Sequence, residues 1–249
     1  MRRVLSARLA LLLAAMTLGA CATTPATGTR PSIPASAPVV YAAIGASETY
    51  GIGAGDRYRQ AWPQVFYNDV LPPSAVFYNF GIPGATTTQA LHDEVPAAVA
   101  VHPTVVTVWL NVNDLINGVT APDYEAQLRQ VLRALRRAGQ ARVLVANTPD
   151  LAQLPAYRAC LPNAPAGGPA CLIPAGLMPT PQAVAAAVAA YNAAISDAVK
   201  LEGATLVDLN LNDSQITLHP EWISADGFHP STQGYAVIAK RFEDAYRRI

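Results

Sequence analysis

Five short runs of β-branched and apolar residues, each set apart by a stretch long enough for a helix, constrain this chain more than any other feature of its sequence. The runs occupy residues 39–44, 76–80, 104–110, 142–146 and 205–209, and the central one reads Thr-Val-Val-Thr-Val-Trp-Leu. Helical patterns fall at about 60–70, 86–100, 122–138, 180–201 and 231–247. In the third of these, Tyr124, Leu128, Val131, Leu132 and Leu135 recur at three- and four-residue spacing. That spacing puts them on one helical face, and Pro122 and Gly139 punctuate its two ends. Strand–helix alternation of this length predicts an α/β fold with a five-stranded parallel sheet covered on both faces. Strands buried on both faces read as nearly continuous apolar runs, as these do. In such sheets, functional groups gather just past the carboxyl ends of the strands. Residues 45–47, 81–86, 111–114 and 147–150 occupy those places.

Charge excludes one class of partner. The 249 residues carry 17 basic and 17 acidic side chains, whereas a nucleic-acid surface needs a basic excess on some face. The groups Arg133, Arg136, Arg137 and Arg247, Arg248 fall in helical patterns and read as solvated faces. The first twenty residues carry Arg2, Arg3 and Arg8 and then an apolar run from Leu9 to Leu18, the pattern of an export signal. That run is too short to span a bilayer comfortably. Leu18-Gly19-Ala20-Cys21 resembles the lipobox of bacterial lipoproteins, in which the cysteine thiol takes a diacylglyceryl group. The resemblance implies a membrane tether at Cys21 without a membrane span. Ala22, rather than aspartate, after that cysteine favours an outer-membrane address in a host with two membranes. Residues 22–38, rich in Thr, Ala, Pro and Ser, read as a flexible tether, and residues 39–249 as one domain.

One segment breaks the alternation. Residues 151–181 hold seven prolines, Gly167-Gly168, Cys160 and Cys171. A cysteine pair in an exported chain is expected to form a disulfide, here stapling an irregular insertion. Such an insertion is either a lid over a site or a surface loop. Two cysteines without neighbouring histidines make a poor zinc site.

Asp226-Gly227-Phe228-His229-Pro230 carries the chemistry. An aspartate three residues before a histidine, on one turn, lets the carboxylate fix the ring tautomer and stabilise the imidazolium. The other ring nitrogen is then free to act as a base, which a serine nucleophile requires. Together with Gly45-Ala46-Ser47, the run 79–86 (Asn-Phe-Gly-Ile-Pro-Gly-Ala-Thr) and Asn111-Val112-Asn113-Asp114, the set resembles the SGNH hydrolases, the GDSL family of esterases and lipases. The four blocks stand in order over most of residues 39–249. The resemblance implies a three-layer α/β/α sandwich of flavodoxin-like type. It implies Ser47 as nucleophile and Asp226 and His229 completing a triad. It also implies an oxyanion hole from the backbone N–H groups of Ser47 and Gly84 and the Asn113 amide. Two residues depart from the family pattern: Ala46 stands where aspartate is usual, and Asn111 where glycine is usual.

The expected activity is carboxylic-ester hydrolysis through an acyl-enzyme, on short acyl esters, lysophospholipids or acetylated sugars, by a monomer and with no metal or organic cofactor. A catalytically silent envelope-binding lipoprotein on the same fold is the alternative. Taken alone, Ser47 reads better as a helix N-cap; the bland alternatives for Gly84 and Asn113 are a turn glycine and an Asx-turn residue. His92, His102 and His219 fall outside the blocks and are expected at surface or structural positions. Residues 51–55, Gly-Ile-Gly-Ala-Gly, lack the spacing of a nucleotide loop and read as a flexible loop at the mouth of the site. Tyr50, Trp62, Trp109 and Tyr191 read as core or rim.

Overall fold

The computed structural model describes residues 38–164, 166–171, 177–210 and 215–248. The expected export signal, the lipid-bearing Cys21 and residues 22–37 of the tether lie outside the described residues.

Strands and helices alternate in the order β1 (Val40–Gly45), α1 (Ser47–Tyr50), α2 (Arg57–Gln60), α3 (Trp62–Val70), β2 (Val76–Asn79), α4 (Thr87–His92), α5 (Glu94–Ala100), β3 (Val105–Trp109), α6 (Val112–Ile116) and α7 (Ala121–Arg136). They continue with β4 (Arg142–Ala146), α8 (Pro155–Arg158), α9 (Pro181–Glu202), β5 (Thr205–Val207), α10 (Gln215–Leu218) and α11 (Thr232–Tyr246). All five strands pair in parallel, in the order β2-β1-β3-β4-β5. The chain moves outward from β1 to β2, then back across to β3, so the strand order reverses at β1 and β3. At such a reversal a crevice forms outside the carboxyl ends of the strands.

The period-two alternation of each strand builds two cores. Ala42, Ile44, Val106, Val108, Val143 and Val145 face α7 and α9. Tyr41, Ala43, Val105, Trp109, Leu144 and Ala146 face α3 and α11. On the first side Tyr124 and Tyr191 stack at 4.6 Å between α7 and α9. On the second, Trp62 stacks on Phe242 at 4.1 Å, locking α3 to α11. The result is the expected three-layer α/β/α sandwich. A third, smaller cluster of Val112, Leu151, Leu154, Tyr157, Val184 and Val188 joins the start of the 151–181 insertion to α9.

The differences from expectation have physical causes. The pattern at 86–100 is two helices that meet at Asp93, because the ring of Pro96 cannot donate to the His92 carbonyl and crowds it. Helix α7 stops at Arg136. Arg137 adopts φ 48° there, and its guanidinium donates to His102 Nδ1 and the Pro103 carbonyl. The strand expected at 76–80 is an edge strand, with Val76 and Tyr78 exposed. The last strand ends at Val207, since the amides of Leu209 and Asn210 turn to Asn147 Oδ1 instead of a sheet neighbour.

One tie across the layers sets the exit of β1. Glu94, the first residue of α5, is 1% exposed, and its Oε2 accepts from the Gly45 amide at 2.8 Å. Its Oε1 is buried without a partner among the described residues. Burial pushes this carboxyl up to about 8, the Gly45 hydrogen bond opposing and Asp93 adding to the rise. A carboxyl raised on folding favours the protonated folded state. Its stabilisation is complete in acid and declines as pH rises from the ordinary carboxyl range through about 8. Glu94→Gln keeps the acceptor and removes the titration. Thermal melts between pH 5 and 9 are therefore expected to show the wild-type melting temperature falling relative to Glu94→Gln by a few degrees. Parallel curves would show that Glu94 does not titrate in this range.

Candidate active site

The strand β1 ends at Gly45, whose position admits no side chain. A Cβ there would meet Thr49 Oγ1 at 2.1 Å and the Trp109 carbonyl at 2.7 Å. The chain then turns directly into α1. Ala46 holds the N-cap position and Ser47 is the first helical residue. Ser47 is thus no N-cap; its Oγ lies 3.0 Å from His229 Nε2. The approach spans 182 residues of sequence.

His229 is held by a closed loop. Ile223 bridges Pro230, and the Ser224 amide donates to the His229 carbonyl at 2.8 Å. Asp226 organises the turn inside it. Its Oδ1 accepts from the amides of Phe228 and His229 and from Ser224 Oγ, at 2.8, 2.9 and 2.8 Å. Its Oδ2 lies 2.6 Å from His229 Nδ1. Partial burial pushes the Asp226 carboxyl up, but hydrogen bonds from His229, Phe228 and Ser224 outweigh it and hold the group at about 2. Asp226 is therefore ionised in ordinary buffer. Of the sequence-identified residues, Ser47, His229 and Asp226 are brought into one hydrogen-bonded line.

The insertion supports that loop from behind. The Ala156 amide donates to the Gly227 carbonyl at 2.9 Å, and a Cβ on Gly227 (φ 73°) would meet Pro169 Cγ at 2.7 Å. Pro169 belongs to the segment closed by the Cys160–Cys171 disulfide. The described part of the insertion is a buttress under the Asp226–His229 turn.

The opposite wall comes from β2 and β3. The Ile82 amide donates to the Gly45 carbonyl at 2.9 Å, and Asn79 Nδ2 donates to the Thr49 carbonyl at 2.7 Å. Both bonds moor the run 79–86 to the serine turn. Gly84 lies exposed in that run at φ 83°, with nothing within 4 Å of the place a Cβ would take. Asn113, in the first turn of α6, donates one amide hydrogen to the Ala85 carbonyl at 2.9 Å. A primary amide carries two hydrogens, and no partner among the described residues takes the second. Asp114 beside it is fully buried and accepts twice from the Thr87 amide and once from Thr87 Oγ1. Asn111 sends its Nδ2 to the Ala146 carbonyl at 3.3 Å, tying the end of β3 to that of β4.

A largely apolar pocket lies between the Phe228 loop, the segment 151–154 and α11. Trp109, Val112, Leu154, Ile223 and Ile238 line it, with Glu48 and Arg241 as its charged residues besides Asp150. Glu48 is 8% exposed, and its Oε2 is also 3.3 Å from Ser47 Oγ.

Several residues here escaped sequence reading. Glu48, Glu94 and Asp114 are buried acids whose role depends on tertiary contacts, and Ser224 and Asn79 act through single hydrogen bonds. Asp114 and Asn79 alone carried a signal, by their places in the blocks 111–114 and 79–86. His92, His102 and His219 lie apart from the line, each with its own partner: Asp93, Arg137 and Glu221. Trp62, Trp109 and Tyr191 are core residues, and Tyr50 lies under the Arg57 guanidinium. The 51–55 segment is packed, not a free loop. The Ile52 carbonyl accepts from Tyr235 OH, and the Gly55 amide donates to Thr232 Oγ1.

Comparison with known proteins places this architecture. No curated protein matches the chain in sequence. Solved structures match its fold. A member of the lipolytic protein G-D-S-L family from Veillonella parvula has a TM-score of 0.60 at 12% identity, covering 85% of this chain and 100% of that one. The psychrotrophic esterase EstA from a Pseudoalteromonas species has a TM-score of 0.58 at 15% identity, covering 84% and 97%. An extracellular lipase from Streptomyces rimosus has a TM-score of 0.56 at 19% identity, covering 84% and 99%. A sequence profile matches residues 43–237, more than half of the chain, and the chain therefore belongs to the GDSL-like Lipase/Acylhydrolase family.

Proposed function

We propose that this protein is a serine esterase in which Ser47, His229 and Asp226 form the catalytic triad. The observation that carries the reading is the unbroken line from Asp226 Oδ2 to His229 Nδ1 at 2.6 Å and from His229 Nε2 to Ser47 Oγ at 3.0 Å. Membership of a family of ester-cleaving hydrolases supports it. Asp226 fixes the ring so that Nδ1 carries the hydrogen and Nε2 is the base. His229 takes the serine proton as Oγ attacks the ester carbonyl, and the carbonyl oxygen becomes an oxyanion. The amides of Ser47 and Gly84 and the free hydrogen of the Asn113 side chain donate to it. The imidazolium then protonates the leaving alcohol, and the same histidine activates water to release the acid. The pocket beyond Glu48 takes an apolar part of the ester, its Trp, Leu, Ile and Val walls favouring an acyl chain over a sugar.

Hydrolysis of p-nitrophenyl acetate, butyrate and octanoate tests the reading. Saturable activity is expected, absent in Ser47→Ala. Asp226→Asn is expected to lose roughly 10²–10⁴ in kcat, by misorienting the ring. A fluorophosphonate is expected to label the wild type and not Ser47→Ala; EstA from Pseudoalteromonas was crystallised inhibited by a phosphonate. A folded wild type that neither turns over nor reacts would remove the proposal. Asn113→Ala is expected to lower kcat about 10²–10³-fold with little change in KM; a change confined to KM would take Asn113 out of the oxyanion hole.

We further propose export and attachment to the bacterial cell envelope through a lipid on Cys21, on the strength of the apolar run from Leu9 to Leu18 and the residues Leu18-Gly19-Ala20-Cys21. Metabolic labelling of the producing cells with radioactive palmitate is expected to mark the wild type and not Cys21→Ser. Equal labelling of the two would refute it.

A further inference from the structure

Glu48 is an odd neighbour for a nucleophile. It follows Ser47 in the first turn of α1, its side chain is almost fully buried, and its Oε2 lies 3.3 Å from Ser47 Oγ. It also lines the apolar pocket. No ion pair among the described residues reaches it. The ionisable groups around it come from three segments. His229 and Asp226 stand on the loop before α11, and Tyr235 and Arg241 on α11 itself. Asp150 shares the pocket. Of these, Arg241 is an exposed residue, and Asp226 opposes ionisation of Glu48 as His229 favours it. Burial is the largest influence and pushes the Glu48 carboxyl up, against its own backbone amide and the Ser47 hydroxyl, which favour the ionised form.

The serine hydroxyl has one hydrogen and two neighbours able to accept it, His229 Nε2 and Glu48 Oε2. Only the hydrogen bond to His229 leads to attack, because only that proton can later be delivered to the leaving alcohol. We propose that Glu48 is a positioning residue for Ser47. Its neutral carboxyl donates to Oγ, and the serine's own hydrogen is thereby directed to His229. When Glu48 loses its proton to solvent, the carboxylate becomes a rival acceptor, the serine hydrogen turns away from the base, and the enzyme slows. The proton on Glu48 is not transferred in the reaction; it selects which way the hydroxyl points. An ionised carboxylate buried without a cation is costly, so the neutral form is the resting one. A carboxyl in this place thus gives the enzyme an alkaline limit that an apolar residue would not.

This inference rests on Ser47 being the nucleophile, and the experiment separates the two. The full chain, Glu48→Gln and Glu48→Leu are compared for kcat and KM on p-nitrophenyl butyrate from pH 5 to 10, corrected for spontaneous hydrolysis, with circular dichroism to confirm folding. The rate of Ser47 labelling by a fluorophosphonate is followed over the same range. The wild type is expected to lose activity and labelling rate on the alkaline side. Glu48→Gln, whose amide still donates but does not ionise, is expected to keep the wild-type maximum within a few-fold and to lose that alkaline decline. Glu48→Leu is expected to lie about tenfold below Glu48→Gln in kcat at every pH, as for one lost hydrogen bond, with KM little changed and no alkaline decline. An alkaline decline that persists in Glu48→Gln would overturn the proposal. So would a Glu48→Gln enzyme that folds but is inactive throughout, or a Glu48→Leu enzyme equal to Glu48→Gln. If Glu48→Leu does not fold, the comparison of wild type with Glu48→Gln decides alone. Activity surviving in Ser47→Ala would instead overturn the assignment of the nucleophile.

Discussion

The parallel pairing of β1 with β3, which sets Gly45 beside Trp109, is the constraint from which the geometry of the site follows. It brings two strand ends to the same level at the point where strand order reverses. Gly45 can approach the Trp109 carbonyl because it has no side chain, and so α1 begins immediately above the sheet with Ser47 in its first turn. From one side the run 79–86 hydrogen-bonds to the Gly45 and Thr49 carbonyls. On the other side α11, locked by the Trp62–Phe242 stack, carries the His229 loop at its amino end. A shift of β1 by one residue would exchange its two buried faces, so the cores that stabilise the sandwich also fix the serine in space.

Burial and hydrogen bonding divide the acidic residues around this point. Asp226 is the more exposed of them and receives three donors besides the imidazole, so it stays charged and anchors His229. Glu94 and Asp114 are buried within the scaffold and are raised by desolvation. Glu94 grips the Gly45 amide and Asp114 grips Thr87, each at the root of a wall of the site. Opposite shifts in one small region separate the group that must carry charge from those that brace it.

Strand and helix order and the layers were legible in the sequence because each has a local signature, whereas Ser47 was joined to His229 and Asp226 only by the resemblance of four sequence blocks to a known family. Apolar runs of period two mark strands, helical spacing marks α7, and the Asp226–His229 separation places two groups on one turn. What escaped depends on tertiary packing. Nothing local says that β2 lies at the sheet edge or that residues 51–55 are seated against α11; Pro96, by contrast, is a local signal for the split at Asp93. The insertion at 151–181 was readable as irregular and disulfide-closed, but its place under Gly227 follows from a contact between distant segments. Glu48 looked unremarkable because its significance comes from burial beside the serine hydroxyl, which a one-dimensional reading does not contain.

The distance along the chain between Ser47 and His229 also bears on how the molecule comes into being. The serine turn can form early, on strands β1 to β3, whereas the histidine loop and the helix that seats it are among the last parts synthesised. A growing or partly folded chain therefore holds Ser47 without its His229 partner until α11 docks against α3. Completion of the fold and the assembly of the Ser47–His229–Asp226 line are the same event.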